Sequence, residues 1–301
     1  MTTRYAHNGE IQIAFEDLGG AGGDPLLLVM GLGTSRFWWP DGLVTELTGR
    51  GFHVVTYDQR DAGQSTRMPD QRVRPPIQAL LRHTPPAYSA EDLTDDAVAV
   101  LDALGWERAH VFGHSLGGLV AQRTAIRHPD RVLSVTTSSA VPSDTKGLSA
   151  LRYVRLMSLV RFARLRYPDT PDGNLDLAVA VARINAGPGQ NVDARDVREF
   201  VDKEAAHQVT SFRDQKAQSR QIGAKWHGGP LACITAPALV LHGEGDPLLR
   251  IAAAREIAAA IPGARLRTLP GVGHFLTRDA WPAYADELRA LADRAVQATS
   301  A

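Results

Sequence analysis

The sequence predicts a doubly wound α/β fold with a mostly parallel sheet and an inserted helical cap. Three observations lead there. Short, continuously apolar runs alternate with longer stretches of helical periodicity, the pattern of βαβ units. One serine, Ser115, stands between glycines in VFGHSLGG, where such a run meets such a helix. The alternation breaks once, between about Pro142 and Ile234, in a stretch that reads as mainly helical.

The elements follow in order. IQIAFED alternates and predicts an early, half-exposed strand. PLLLVM is apolar throughout, as a strand covered on both faces must be. DGLVTELTGRG is helical and stops at a glycine, and HVVTYD is the next buried strand. SAEDLTDDAVAVLDALG opens with Ser89 three residues before Asp92, an N-cap signature. AHVFG is a strand, and LGGLVAQRTAIRHP is a helix that ends near Pro129. VLSVTTSS, ALVLHG and RLRTLP complete the strands; IAAAREIAAAIPG and DAWPAYADELRALADRAV are helices.

The break in alternation sets the domain division: residues 1–142 and 234–301 form the core, and 143–233 form a helical cap over the sheet. Within it, GLSALRYVRLMSLVRFARLRY reads as a basic helix whose charges face solvent while its apolar side covers the core. NVDARDVREFVDKEAAHQ is another helix, and INAGPGQ marks a break between helices.

Composition excludes several classes. Lys plus Arg equals Asp plus Glu, at 33 each, so the chain lacks the basic excess that phosphate neutralisation demands of a general nucleic-acid binder. One cysteine, Cys233, permits no intramolecular disulfide. The N-terminal stretch has no long apolar run, so no secretory signal is read there. PLLLVM is far short of the roughly 20 residues of a membrane span. The expectation is a soluble, cytoplasmic protein with a small-molecule substrate and neither nucleic acid nor membrane as partner. No Cys/His spacing suggests zinc, and the serine loop is not a dinucleotide-binding G-x-G-x-x-G, so neither metal nor cofactor is expected.

The chemistry centres on Ser115. Gly113-His114-Ser115-Leu116-Gly117 matches G-x-S-x-G between a strand and a helix. The flanking glycines let the chain turn tightly, which lifts the hydroxyl above the sheet. A serine hydroxyl needs a base, and LPGVGHF places His274 in a glycine-rich loop after the last strand. His114 should point away and pack. The base needs a carboxylate to fix its tautomer. Asp246, in GEGDP at the end of a strand, is the candidate acid, with Glu244 and Asp144 as fallbacks. An oxyanion needs preorganised N–H donors. Leu116, after the serine, and Leu32, in the Gly31-Leu32-Gly33 loop, are the candidates. Phe37, Trp38, Trp39, Phe275 and apolar cap residues predict a large apolar pocket, with Trp38, Trp39 and Phe275 as substrate contacts. Asp58, Arg60 and Asp61 read as residues that tie down their own loop.

These motifs together resemble the α/β-hydrolases over nearly the whole chain. LLLVMGLG, WPD at Trp39 to Asp41, YDQRDAGQST, DDAVAVLDALG, GHSLGG, GEGDP and PGVGH are most similar to the aclacinomycin methylesterase type of polyketide-tailoring esterase. The resemblance implies an α/β-hydrolase fold, a Ser115–Asp246–His274 triad, an oxyanion hole from Leu32 and Leu116, and ester hydrolysis linked to antibiotic biosynthesis. The sequence departs at His114 and in RMPDQRVRPPIQALLRHTPP, an expanded loop. A non-hydrolytic cyclase or tailoring role, a thioesterase and a proline iminopeptidase-like peptidase are the competing readings.

Overall fold

Apolar runs flanked by helical segments build one sheet with its centre covered on both faces. The computed structural model describes residues 2–69, 87–145, 147–210 and 213–299. Most of the expanded loop, residues 70–86, lies outside them. The strands are β1 (Arg4–Asn8), β2 (Ile11–Gly19), β3 (Asp24–Val29), β4 (Phe52–Tyr57), β5 (Ala109–His114), β6 (Val132–Ser138), β7 (Ala238–Gly243) and β8 (Arg265–Leu269). Their order is β1-β2-β4-β3-β5-β6-β7-β8. The pairs β1–β2 and β2–β4 are antiparallel, and all later pairs are parallel.

Helices carry the crossovers: α1 (Asp41–Gly49), α2 (Ala90–Leu104) and α3 (Leu116–Arg127). Between β6 and β7 run α4 (Leu156–Ala163), α5 (Pro171–Asn185), α6 (Ala194–Ala206) and α7 (Gln215–Gly223). The chain closes with α8 (Ala252–Ala260) and α9 (Trp281–Thr299). Strand residues alternate between two cores. Leu27, Val29, Val111 and Val240 pack with residues of α2, α3 and α8. Leu26, Leu28, Phe112 and Leu241 pack with residues of α1, α9 and the cap segment. No described helix is long and apolar enough to cross a membrane.

Two local features depart from the sequence expectation. β1 is an additional edge strand, joined to β2 by a two-residue turn in which Gly9 has φ of 60°. The segment 147–167 is not one helix. A 3-10 turn (Gly147–Arg152) comes first, then Val154 bridges Leu249, and only afterwards does α4 begin. The bridge holds the chain extended and breaks the helical hydrogen bonding. The cap on α2 forms as the sequence predicts: the Ser89 side chain accepts from Asp92 N, and the Asp92 side chain returns to the Ser89 amide.

Candidate active site

β5 ends at His114, and the next residue turns the chain into α3. Ser115 has φ 55° and ψ −120°, a strained conformation for a residue with a side chain. Its neighbours must be glycine for the turn to close. A Cβ on Gly113 would lie 2.0 Å from the Gly117 carbonyl oxygen, and one on Gly117 would lie 1.9 Å from that of Val29. The Ser115 side chain makes no cap hydrogen bond to the helix. Its Oγ lies 3.0 Å from His274 Nε2 instead.

His274 comes from the loop after β8. Its Nδ1 lies 2.8 Å from Asp246 Oδ2. Asp246, beyond β7, is buried, and its Oδ1 accepts from the amides of Leu248 and Leu249, both at 2.8 Å. Burial alone would raise the Asp246 carboxyl. The facing His274 and the Leu249 amide outweigh it and hold the pKa down at about 2. The fallback acids are engaged elsewhere. Glu244 Oε1 accepts from Thr268 at 2.7 Å, and Asp144 accepts from the Leu231 amide at 3.2 Å.

The Gly31–Gly33 loop lies against the serine. A Cβ on Gly31 would sit 3.2 Å from Ser115 Cβ, so a side chain there would crowd the hydroxyl-bearing carbon. Two glutamines hold this loop: Gln59 Nε2 donates to the Met30 carbonyl at 2.6 Å, and the Gly33 amide donates to Gln221 Oε1 at 3.1 Å. Leu32 stands between these anchors, and Leu116 is the first residue of α3. Sequence reasoning missed Gln221, which reaches the loop from α7.

His114 packs within the site rather than away from it. Its ring centroid is 5.1 Å from that of His274, and its Nδ1 is 3.3 Å from Ser138 Oγ. Burial, with the neighbouring His274 charge, pushes its pKa down to about 3. His242 on β7 was also missed. It is fully buried, neither ring nitrogen has a hydrogen-bond partner among the described residues, and burial lowers its pKa.

The acidic loop after β4 has the structural role its composition predicts. Asp58 accepts from the Arg36 amide at 2.6 Å and the Gln64 amide at 2.8 Å. Arg60 forks onto Asp96, both bonds at 2.6 Å. Asp61 receives both arms of Arg220 from α7 at 2.8 Å.

The predicted aromatic contacts separate. Trp39 is a core residue, 2% exposed, with its ring 5.2 Å from Phe112. Trp38 packs on Phe200 at 5.2 Å and donates through Nε1 to Glu204 Oε1 at 2.8 Å. Phe200 in turn meets Phe275 at 6.4 Å. Phe37 is buried against His207. Trp38 borders a cleft of about 310 Å³, while Phe200 and Phe275 border another of about 420 Å³. Ser115 lines neither. An aromatic row, Trp38–Phe200–Phe275, runs between these two clefts.

Comparisons with known proteins agree with this architecture. A family model for the alpha/beta hydrolase fold matches residues 24–277. The chain is 31% identical over 292 residues to rhodomycin D methylesterase of Streptomyces peucetius, covering 92% of this chain and 93% of that protein. The corresponding enzyme of Streptomyces sp. (strain C5) matches equally, at 31% and the same coverage. Among solved structures, the enol-lactonase of Burkholderia xenovorans LB400 superposes with a TM-score of 0.64 at 23% identity, covering 96% of this chain and 99% of that one. At that identity, the last likeness speaks to fold alone.

Proposed function

Because this chain belongs to the α/β-hydrolase fold family, we propose that it cleaves the carboxylic ester of a bulky, apolar small molecule through an acyl-enzyme. It is a hydrolase of the esterase kind. One observation supports the finer reading most: the unbroken hydrogen-bonded series from Ser115 Oγ through His274 to the buried, low-pKa Asp246. The methylesterase relatives point to a methyl ester of a polyketide-like acid, consistent with a role in antibiotic biosynthesis.

In this mechanism Ser115 is the nucleophile. Its proton passes to His274 Nε2 as Oγ bonds to the ester carbonyl carbon. The Leu32 and Leu116 amides stabilise the oxyanion, which lies at the positive end of α3. Asp246 holds the Nδ1 proton and stabilises the imidazolium. Collapse breaks the bond to the alkoxide, which leaves as alcohol with the His274 proton. Water then attacks the acyl-enzyme, gives its proton to His274, and the acid departs as Ser115 regains its hydrogen. Residues 143–233 act as the substrate-selecting cap, with Trp38 and Phe275 as contacts. Asp61, Arg220 and Gln221 hold that cap to the core.

Two measurements test this. A fluorophosphonate should attach to Ser115 and to no other residue by peptide mass mapping. A panel of methyl, aryl and thioesters should show methanol release from bulky methyl esters. Absence of labelling on a folded protein overturns the acyl-enzyme; labelling with thioesters as the only turned-over class overturns the ester assignment.

A further inference from the structure

The basic segment of the cap presents the solvated charges that its sequence predicts, but it does not bury the apolar side expected to cover the core. Leu148, Leu156, Met157 and Val160 are 56%, 60%, 64% and 40% exposed. Only three other large hydrophobic side chains are so exposed among the described residues, so these four are a cluster rather than scatter. Leu156 and Val160 are one helical turn apart, as are Met157 and Arg161, so apolar and cationic side chains share the outer side of α4. Ser158 points inward and donates to the Pro247 carbonyl.

The charge around this cluster is one-sided. Arg155, Arg161, Arg164 and Arg166 are exposed, and none makes an ion pair among the described residues; Arg152 alone is paired, with Glu256 at 2.6 Å. No acidic residue occurs between 147 and 167, in a chain whose net charge is zero. The segment is fixed, not dangling. Val154 bridges Leu249, the Arg155 amide donates to the Leu248 carbonyl at 2.9 Å, and the Arg250 amide donates to the Tyr153 carbonyl at 2.7 Å.

We propose that this face docks on the anionic surface of a lipid bilayer. The exposed apolar side chains enter the boundary between headgroups and acyl chains, and the arginines meet lipid phosphates. Guanidinium suits that role, because its planar fork matches phosphate oxygens. A second copy of the chain fits the face less well. A two-fold contact sets the same patch against itself, which brings Arg161 and Arg164 against their own copies with no acid in the segment to offset them. The docked segment is joined to the loop 247–250, whose amides at 248 and 249 bind Asp246. Docking therefore sets the cap at the bilayer surface, where apolar small molecules concentrate.

Co-sedimentation of the full chain with vesicles tests this. Vesicles of phosphatidylglycerol mixed with phosphatidylcholine should carry the protein down, pure phosphatidylcholine should not, and raised salt should release it. Leu156→Ser with Met157→Ser and Val160→Ser should weaken binding about tenfold or more, as should Arg161→Gln with Arg164→Gln. Circular dichroism and thermal melts establish that each variant is folded. The proposal fails if phosphatidylglycerol vesicles do not bind the wild type, or if both folded variants bind as well as it does. It also fails if sedimentation velocity shows a wild-type dimer that the serine variant splits, since a second copy then covers the face.

Discussion

The carbonyl of Asn185, the last residue of α5, accepts hydrogen bonds from the amides of both His274 and Phe275, at 2.7 and 3.0 Å. His274, the proposed general base, is therefore held from the end of α5 as well as by its own loop after β8. The two loops approach so closely that only glycine fits on either side. A Cβ on Gly273 would lie 2.2 Å from the Gly187 nitrogen, and one on Gly187 would lie 2.2 Å from the Gly271 carbonyl oxygen.

Gln190 closes the same junction. Its Oε1 accepts from Gly273 N at 2.8 Å and Gly187 N at 2.9 Å, and its Nε2 reaches Thr277. Gln190→Leu keeps the bulk and leaves two amides without an acceptor. His274 should drift from Ser115, so kcat should fall about tenfold while KM changes little, since a misplacement near 1 Å costs up to about 10²-fold. Steady-state kinetics on one ester decides it. A rise in KM at constant kcat would show that Gln190 serves binding rather than the base.

The triad acid is predicted by its partners. Asp246→Asn should cut turnover on the order of 10⁴-fold while the protein stays folded, because the amide favours the wrong histidine tautomer. Glu244→Gln and Asp144→Asn should do far less, since those carboxylates serve Thr268 and the Leu231 amide. A large loss from Glu244→Gln with a small one from Asp246→Asn would reverse the assignment.

The buried His114 predicts a pH dependence of stability. Its folded pKa, about 3, lies below the ordinary 6.5, so the unfolded chain binds more protons between those values. Stability therefore falls as pH drops below 6.5. At pH 5 the contribution is about 2 kcal/mol of destabilisation relative to pH 7. Denaturant unfolding at both pH values checks it: His114→Asn should lose about 2 kcal/mol less than the wild type on acidification. Equal losses would mean that other groups carry the acid sensitivity.

Much of the candidate site's geometry was legible because the proposed chemistry demands particular residues in a fixed chain order. A glycine-flanked serine after a strand, an acid after a later strand and a histidine after the last strand mark Ser115, Asp246 and His274. The buried strands were legible as continuous apolar runs. Gln190, Gln221 and Asn185 were not, because an uncharged amide or a backbone carbonyl carries no motif and their partners lie far along the chain. Gln190 meets Gly273 across 83 residues, and Gln221 meets Gly33 across 188. β1 left one signal, Gly9-Glu10 before an alternating run, a glycine-first two-residue hairpin turn. The exposure of Leu156, Met157 and Val160 is invisible in periodicity. An amphipathic pattern says which residues share a side, while long-range contacts such as the Val154–Leu249 bridge and the Ser158–Pro247 bond fix how the segment sits.

Adjacent tryptophans give the last test, because neighbouring side chains diverge along the chain. Trp39 is buried under the sheet against Phe112, in a cluster that includes Tyr284 and Leu288 of α9. Trp39→Ala leaves a cavity there and should cost about 3–5 kcal/mol, with equal loss on large and small esters as folded protein is lost. Trp38 stands at the head of the row that runs through Phe200 to Phe275, with its indole N–H on Glu204. If that row guides a bulky acyl group, Phe275→Ala and Phe200→Ala should lower kcat/KM for bulky esters about tenfold while sparing small activated esters. The lost apolar contact would supply that difference at roughly 25 cal/mol per Å². Trp38→Ala should follow the same substrate pattern but also destabilise, since it leaves the buried Glu204 with one donor fewer. Measuring both ester sizes at matched folded fraction separates the two effects. Uniform loss across ester sizes in Phe275→Ala and Phe200→Ala would show that the row only joins cap to core, and substrate choice would then rest on other residues of the cap.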